Sequence, residues 1–373
     1  MEKVKTGLIG CGKVGHLHAQ ALSSLDSSEF VAVCDSNTSR ALEFAAQYGV
    51  KAYSSVDEMV QSAGLEAVQI CTPHPFHCAP AQKAAGAGLH VMVEKPLASN
   101  LEDCDAMLSA AENANVKMGT MCQRRFYRPS QRVRQAIDDG KIGRPVLGTV
   151  TMYGWRDEDY YESDDWRGTW TGEGGGVLVN QAPHQLDLLQ WYMGSIEELT
   201  GYWGNLNHPY IEVEDTAVAL LKFKNGGLGN ILVSNSQNPA LYGNVHVHGE
   251  NGVSIGVQTD GGVMFIAGMS SILEPPRLDM WTVAEDREDW ERWNEEDAEF
   301  FSSVNPMEHY HQVQIADFLD AIREDREPAI TGREGRITVE MFTAIYRSAR
   351  DQKPVTFPVQ ADPDRKDFDG RRL

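Results

Sequence analysis

The first 35 residues contain the pattern that most restricts the fold of this chain. A short apolar run at 4–9 is followed by Gly10-Cys11-Gly12-Lys13-Val14-Gly15, a GxGxxG sequence that opens a helical pattern extending to Leu25. A second apolar run at 30–34 ends at Asp35, twenty residues after Gly15. A strand, a glycine-rich turn, a helix and a second strand ending in an acid together predict a unit that binds a dinucleotide.

The residues of this pattern have different expected roles. Gly10 permits the tight turn, Gly12 lets a pyrophosphate approach the backbone, and Gly15 lets the helix pack on the sheet. Asp35 is expected to bind the adenosine ribose hydroxyls and to repel a 2′-phosphate, which favours NAD. Arg40 leaves NADP as an alternative, because a guanidinium binds phosphate. The expected cofactor contacts in the loop are Gly10, Cys11, Gly12, Lys13, Val14 and Gly15.

The order of apolar patterns predicts two domains. Within residues 1–123, predicted strands at 67–71, 90–93 and 116–121 alternate with helices at 39–48, 56–61 and 101–113, which is typical of a doubly wound parallel sheet in an α/β Rossmann domain. Residues 124–373 instead carry strands at 145–152, 215–223, 228–233, 245–248 and 253–257, with helices at 130–138, 312–322 and 335–350. This half predicts an α+β domain with a large open, mostly antiparallel sheet. The acidic segment 284–299 is predicted to be a solvated helix face or loop.

Composition excludes several classes of protein. The formal net charge of −21 argues against nucleic acid and anionic membrane surfaces as partners. No apolar run is long enough to span a membrane, and no signal-peptide pattern precedes the first strand. The six cysteines lie in the first third without a CxxC pair, which is typical of reduced thiols. We therefore expect a cytoplasmic protein.

Two short segments follow predicted strands of the first domain at the edge where ligands bind. The first runs from Thr72 and Pro73 to His77 and is predicted to turn over the cofactor. Zinc is rejected, because no second ligand cluster with zinc spacing exists, and no metal is expected. The second is Glu94-Lys95-Pro96, from which Lys95 is predicted to project toward the nicotinamide.

The predicted substrate region follows Gly174-Gly175-Gly176. A helix is expected to begin near 179–181, with Pro183 in its first turn, and to end at Gly194. At about 100° per residue, Asn180, His184 and Asp187 share one face. His184 is then either a buried histidine satisfied by Asp187 or a general base beside a ligand. Aromatic and arginine side chains upstream are candidates for ligand contacts or for an aromatic core: Tyr153, Trp166, Arg167 and Trp170. His16, His18, His246 and His248 are interpreted as structural or solvated.

Taken in order, GxGxxG, Asp35, CTPxxxH, EKP, Gln123-Arg124-Arg125-Phe126 and GGGxxxNxxxHxxD resemble the glucose–fructose oxidoreductase, inositol dehydrogenase and MocA family over nearly the whole chain. The resemblance implies an NAD(P)-dependent oxidoreductase acting on a sugar, cyclitol or sugar derivative, assembled as a homodimer or homotetramer through the open sheet. It implies that Lys95 and His184 are the acid/base pair, with Lys95 touching both cofactor and substrate. The implied cofactor contacts also include Thr72, Pro73, His77, Glu94, Gln123, Trp166 and Arg167. The implied substrate contacts are Arg125, Tyr153, Trp170, Asn180 and His311.

One position departs from the family pattern. Asn180 stands where the commonest pattern has Asp, so a Lys–Asp–His proton relay is unavailable. A similar Asn occurs in members resembling nucleotide-sugar 3-dehydrogenases, which shifts the expected substrate toward a ring hydroxyl such as C3. The resemblance also makes Asn180→Asp a tolerated change. The alternatives are a redox-neutral sugar-processing enzyme that recycles bound NAD, and a non-catalytic NAD-binding protein.

Overall fold

The structure is a computed structural model, which describes residues 3–261 and 274–361. It begins with a six-stranded sheet whose strands all run parallel, in the order β3-β2-β1-β4-β5-β6. The strands are β1 (Val4–Ile9), β2 (Ser28–Cys34), β3 (Lys51–Tyr53), β4 (Ala67–Ile70), β5 (His90–Val93) and β6 (Met118–Thr120). The strand order reverses between β1 and β4, so their carboxyl ends form the switch point where ligands bind in open parallel sheets.

Five helices connect these strands, and their termini follow from local sequence. They are α1 (Lys13–Ser24), α2 (Thr38–Tyr48), α3 (Val56–Ser62), α4 (Cys78–Gly86) and α5 (Leu101–Ala114). The Asn37 and Asn100 side chains cap α2 and α5 by accepting backbone N–H groups of the first turn. The predicted cap Ser55 likewise accepts from the N–H of Glu58.

The second sheet has eight strands in the order β13-β12-β11-β7-β10-β9-β8-β14, and only the β7–β10 pair among these described strands is parallel. Both predicted fold classes are therefore confirmed. Its strands are β7 (Pro145–Tyr153), β8 (Ile196–Gly204), β9 (Thr216–Phe223), β10 (Leu228–Ser234), β11 (Tyr242–Gly249), β12 (Ser254–Gly261), β13 (Arg277–Trp281) and β14 (Val355–Thr356). The helices between β6 and α11 are α6 (Arg128–Asp138), α7 (Glu158–Glu162), α8 (Val177–Asn180), α9 (Pro183–Met193) and α10 (Trp290–Ser303).

Helix α9 packs against β7 and β11 on one face of this sheet. A Cβ at Gly148 would lie 2.6 Å from Cγ of Met193, so the glycine allows the helix to lie close to the strand. Strands of the same sheet also carry exposed apolar side chains, which are Leu147, Tyr202, Val218, Leu220 and Leu228.

The last two helices, α11 (Pro306–Arg323) and α12 (Gly332–Asp351), divide the chain differently from the sequence-based boundary. One compact unit comprises Met1–Gln123 with Pro306–Arg336, and the other comprises Arg124–Asn305 with Ile337–Leu373. The boundary after residue 123 coincides with the predicted one, but 306–336 lie in the first unit instead of the second. The physical reason is that Ile315 and Phe318 of α11 share a buried core with Leu22 and Met92.

Three further differences concern local structure. The helix predicted to begin at 179–181 is two helices, because α8 ends at Asn180 and α9 begins at Pro183. Strands β3, β8, β13 and β14 are not predicted from the sequence. The acidic segment is not simply solvated, since Asp286 is buried against Lys141 and Asp297 against Arg132. Within residues 3–261 and 274–361, no helix combines the length and apolarity that crossing a membrane requires.

Candidate functional site

In the first unit, the glycine-rich turn joins β1 to α1. Gly10 has φ +103°, and a Cβ there would lie 2.5 Å from the carbonyl carbon of Cys71. A Cβ at Gly15 would lie 2.4 Å from the carbonyl oxygen of Gly10, so this glycine lets α1 approach the turn. A Cβ at Gly12 would meet nothing within 4 Å. The turn therefore excludes side chains at two positions and leaves open space at the third, beside the N-terminus of α1, where a pyrophosphate fits.

Asp35 fixes this turn to the end of β2. Its carboxylate accepts the N–H of Cys11 at 2.9 Å and the N–H of Asn37 at 2.8 Å. Arg40 is half exposed and lies 3.7 Å from the same carboxylate. Burial, with Asp35 nearby, raises the pKa of the Cys11 thiol to about 12, so the thiol is neutral. The Asp35 carboxylate, which is expected to bind the ribose hydroxyls, thus lies beside the glycine turn. Arg40, the residue that leaves NADP as an alternative, lies next to it.

The segment after β4 is tied to the segment after β5 by His77. The His77 ring is fully buried, with Nε2 2.8 Å from the carbonyl oxygen of Thr72 and Nδ1 3.1 Å from that of Pro96. Burial is the main influence on His77 and lowers its pKa. The Thr72 hydroxyl donates to the carbonyl of Phe76, which closes the turn around Pro73. His77 therefore connects two loops at the switch point, and the cofactor contact predicted for it stays a prediction.

Glu94 lies in a buried network beside Lys95. Its Oε1 is 2.7 Å from Nε2 of His18 and 3.7 Å from Nε2 of His311, and its Oε2 accepts the Lys95 N–H at 3.0 Å. Burial raises the pKa of Glu94, but the hydrogen bond from His18 and the proximity of His311 outweigh it and hold that pKa well below its ordinary value. The ligand atoms of this trio lie within 4.8 Å of one another, a set that could hold a metal ion, although the His18–Glu94 contact has hydrogen-bond length. His311 is thus buried near Glu94, and the substrate contact predicted for it stays a prediction.

Gln123 ends the first segment of this unit. Among residues 3–261 and 274–361, its buried Oε1 has no hydrogen-bond partner. A buried acceptor of this kind is satisfied by a water or by a bound ligand. The open space at Gly12 is the observation that fits a bound dinucleotide.

In the second unit, Glu214 organises the glycine-rich entry to α8. Its carboxylate accepts the N–H groups of Gly176 and Leu178 at 2.9 and 3.0 Å and the hydroxyl of Tyr346 at 2.9 Å. Burial raises the pKa of Glu214 to about 7, against the lowering effect of these hydrogen bonds. A Cβ at Gly176 would lie 1.8 Å from the carbonyl oxygen of Glu214, so only glycine permits this approach. Glu214 thereby fixes the start of the helix that carries Asn180.

Asn180 lies at the end of α8 against a buried polar cluster. Its Nδ2 donates to the Tyr160 hydroxyl at 3.1 Å and to Oε1 of Glu173. Glu173 is 1% exposed, and its other oxygen accepts the Gly168 N–H at 2.6 Å. Burial raises the pKa of Tyr160, so the phenol stays protonated. A carboxylate, a phenol and an amide therefore meet at the position where the sequence showed only an asparagine.

His184 is buried in the first turn of α9, one residue after Pro183. Asp187, three residues later, forms a bidentate ion pair with Arg125, at 2.8 Å from Nε and 2.6 Å from Nη2. The Arg125 guanidinium also lies 5.1 Å from the ring of Trp191. Arg125 and Asp187 are thus buried and paired with each other, and the substrate contact of Arg125 stays a prediction.

The predicted aromatic and arginine residues separate into two groups. Arg167 stacks on Trp166 at 4.3 Å and donates to the Tyr160 hydroxyl at 2.5 Å, which connects both residues to the Asn180 cluster. Trp170 is buried, with its ring 5.6 Å from Trp203 and 5.7 Å from Tyr346. This placement agrees with the aromatic-core alternative for Trp170, and its substrate contact stays a prediction. Tyr153, at the end of β7, contacts Tyr242 at 5.6 Å.

Two family descriptions match this chain. "Oxidoreductase family, NAD-binding Rossmann fold" matches residues 4–121, and "GFO/IDH/MocA C-terminal domain" matches residues 130–254. The chain is 32% identical over 257 residues to a myo-inositol 2-dehydrogenase of Thermotoga maritima, which covers 67% of this chain and 74% of that protein. The chain belongs to the GFO/IDH/MocA family. The predicted family, the NAD-binding Rossmann fold and the oxidoreductase class are confirmed.

Solved structures agree with this membership. The WlbA dehydrogenase from Bordetella pertussis, in complex with NADH and UDP-GlcNAcA, is 32% identical, with a TM-score of 0.82 over 96% of this chain and 100% of that chain. A WlbA dehydrogenase from Chromobacterium violaceum, in complex with the same two ligands, is 28% identical, with a TM-score of 0.83 over 96% of this chain and 97% of that chain. The family member described here therefore has an NAD-binding first unit, and its individual ligand contacts stay predictions.

Several residues of these clusters escaped the sequence analysis. His18, interpreted as structural or solvated, is buried, and the sequence did not indicate its hydrogen bond to Glu94. Glu173, Glu214 and Tyr160 were assigned no role, and the hydrogen-bond partners of the Glu173 and Glu214 carboxylates lie between 5 and 132 residues away along the chain. For Glu173, the one available signal was an acid directly before three glycines.

Proposed function

We propose that this enzyme transfers hydride reversibly between nicotinamide C4 and a ring carbinol or ketone carbon of a sugar, a cyclitol or a sugar derivative. Within that class we favour C3 of a nucleotide sugar. The observation that carries the proposal is the glycine turn fixed by Asp35 in a member of an oxidoreductase family. Support for the nucleotide sugar comes from two relatives crystallised with NADH and UDP-GlcNAcA.

We assign the proton transfer to His184, assisted by Lys95. NAD⁺ supplies the hydride acceptor, so oxidation of a carbinol yields a ketone, NADH and one proton. His184 accepts the hydroxyl proton as the hydride leaves the same carbon. An imidazole suits this role near neutral pH. Glu94 holds the Lys95 backbone through its N–H, and the buried His18 and His311 fix Glu94 in turn. Since Asp187 pairs with Arg125, we assign Asp187 to fixing Arg125 beside α9, not to activating His184.

The test is NADH formation with a panel of sugars, cyclitols and nucleotide sugars. His184→Ala should lose about 10²- to 10⁴-fold in turnover, the usual cost of a missing general base, and should still bind NAD. Lys95→Ala should lose at least as much and should also raise KM. The matched controls are His248→Gln, on β11, and Lys83→Ala, on α4, which should retain activity. If folded His184→Ala retains more than about a tenth of wild-type turnover, His184 is not the base. Substrate conversion without net NADH would replace the proposal with a redox-neutral reaction.

A further inference from the structure

In the cluster of Glu173, Asn180 and Tyr160, the partners of the Asn180 amide determine how the amide is oriented. A side-chain amide has two N–H donors on nitrogen and one carbonyl oxygen that accepts. Both donors of Asn180 are engaged, one by the Tyr160 hydroxyl and the other by the Glu173 carboxylate. A carboxylate accepts and cannot donate, so it fixes the amide with nitrogen toward Glu173. A ligand that reaches the other end of this amide consequently meets its oxygen, which is an acceptor.

The burial of the cluster strengthens this conclusion. Glu173 and Tyr160 are nearly inaccessible, whereas Asn180 is partly accessible, so the amide nitrogen points inward. The second oxygen of Glu173 is held by the Gly168 N–H, which prevents the carboxylate from turning away. Arg167 and Gln181 also donate to the Tyr160 hydroxyl, at 2.5 and 3.1 Å, and fix the phenol. Both acceptors of the amide nitrogen are therefore themselves held in place.

We propose that Glu173 is a positioning residue that makes Asn180 a hydrogen-bond acceptor for a donor group on the substrate, a hydroxyl or an N–H. The proposal rests on the proposed function where it places substrate at Asn180. The proposal also implies that positions 173 and 180 can hold only one carboxylate between them. The Asn180→Asp change would place a second carboxylate oxygen against Oε1 of buried Glu173, where the two charges repel or must share a proton. The structure therefore predicts that Asn180→Asp is harmful, the opposite of what the family resemblance implies.

The Glu173→Gln change has a different expected effect. The introduced glutamine can keep the Gly168 contact with its oxygen, which places its amide nitrogen against Asn180. The Asn180 amide must then turn over, and it presents a donor to the ligand instead of an acceptor. We expect KM to rise about tenfold with a smaller change in kcat, the order expected when a buried hydrogen bond to substrate is lost. In the double variant Glu173→Gln/Asn180→Asp, the introduced amide donates to the introduced carboxylate, and the acceptor facing the ligand is restored.

The experiment is a double-mutant cycle on the full-length enzyme, with Glu162→Gln, an exposed carboxylate of α7, as the matched control. The urea midpoint of the second unit should fall for Asn180→Asp and recover in the double variant, while KM should recover to within about threefold of wild type. If Asn180→Asp does not fold, recovery of soluble protein in the double variant supports the pairing, and failure to recover overturns it. Additive effects on the urea midpoint overturn it too. The urea midpoint needs no substrate, so the test of the pairing does not depend on the proposed reaction. A recovered midpoint with an unrecovered KM overturns the substrate contact alone.

Discussion

Glu214 makes the stability of the second unit depend on pH in a direction opposite to that of most acidic residues. Its carboxyl is buried between Gly176, Leu178 and Tyr346, and burial raises its pKa to about 7. An acid whose folded-state pKa is raised binds its proton more tightly in the folded chain. Above the unfolded-state value, near 4.5, unfolding therefore releases a proton, and stability falls as pH rises.

The magnitude follows from the two pKa values. At about 1.4 kcal/mol per pH unit, the difference between 4.5 and about 7 corresponds to roughly 3 kcal/mol. The stabilisation of the folded unit by protonated Glu214 is fully present below about pH 4.5 and is lost by about pH 7. Above about pH 7, Glu214 is ionised in the folded and the unfolded chain alike. Glu214→Gln removes the ionisation and leaves the other titrating groups in place. The free energy of unfolding of wild type minus that of Glu214→Gln should then fall by roughly 3 kcal/mol across this range.

The chain carries its own reporter for this measurement. All 8 tryptophans lie between Trp155 and Trp293, and none lies in the segments that form the first unit. Urea unfolding followed by tryptophan fluorescence therefore reports on the second unit. Glu212 provides a control two residues away, because its side chain is exposed while its carboxylate accepts the Trp170 N–H. Glu212→Gln should show the wild-type pH dependence.

The reasoning is refuted if wild type and Glu214→Gln show the same dependence of unfolding free energy on pH. If the unfolding free energies of wild type and Glu214→Gln change with pH by the same amount, Glu214 ionises normally in the folded state. Its three hydrogen bonds would then balance its burial, and its pKa would lie near the unfolded-state value.

The remaining predictions concern the cofactor and the assembly. NAD should bind more tightly than NADP, and Asp35→Ala should narrow the difference, because the carboxylate beside the glycine turn repels a 2′-phosphate; calorimetric titration showing equal or reversed wild-type affinities would contradict this. We expect a homodimer or homotetramer that covers the exposed apolar side chains of the second sheet, so Leu220→Lys, at a side chain 68% exposed, should favour the monomer in light scattering. Lys222→Ala on the same strand is the control, and a monomeric wild type at micromolar concentration would refute the expectation.

The first unit could be predicted well because its signals are local. The glycines at 10, 12 and 15, the acid at 35 and the caps at Ser55 and Asn100 all act within about 25 residues. The fate of α11 could not be predicted in the same way. Its amphipathic pattern predicts a helix and an apolar face, but it does not indicate which of two sheets that face covers. Packing of Phe318 with Met92 decides the question across more than 200 residues.

The second unit shows the same limit at the level of single side chains. Helical spacing placed Asp187 on a shared face with His184, yet its carboxylate is held by Arg125, 62 residues earlier in the chain. The break between α8 and α9 also escaped prediction, since Pro183 is compatible with a continuing first turn. Glu173 could not be assigned a role, because the charge of a buried acid depends on partners that only the folded chain brings together.

The first unit is built from two stretches of chain separated by 182 residues, Arg124–Asn305. On the ribosome, the six-stranded sheet is therefore complete long before the helix that covers Leu22 and Met92 has been made. That apolar surface stays uncovered in the nascent chain until the helix Pro306–Arg323 has been synthesised. A fragment ending at Gln123 would retain every motif of the glycine turn and the two loops, and still lack part of its own core. Completion of the dinucleotide-binding unit thus requires synthesis of Pro306–Arg323, long after its six strands.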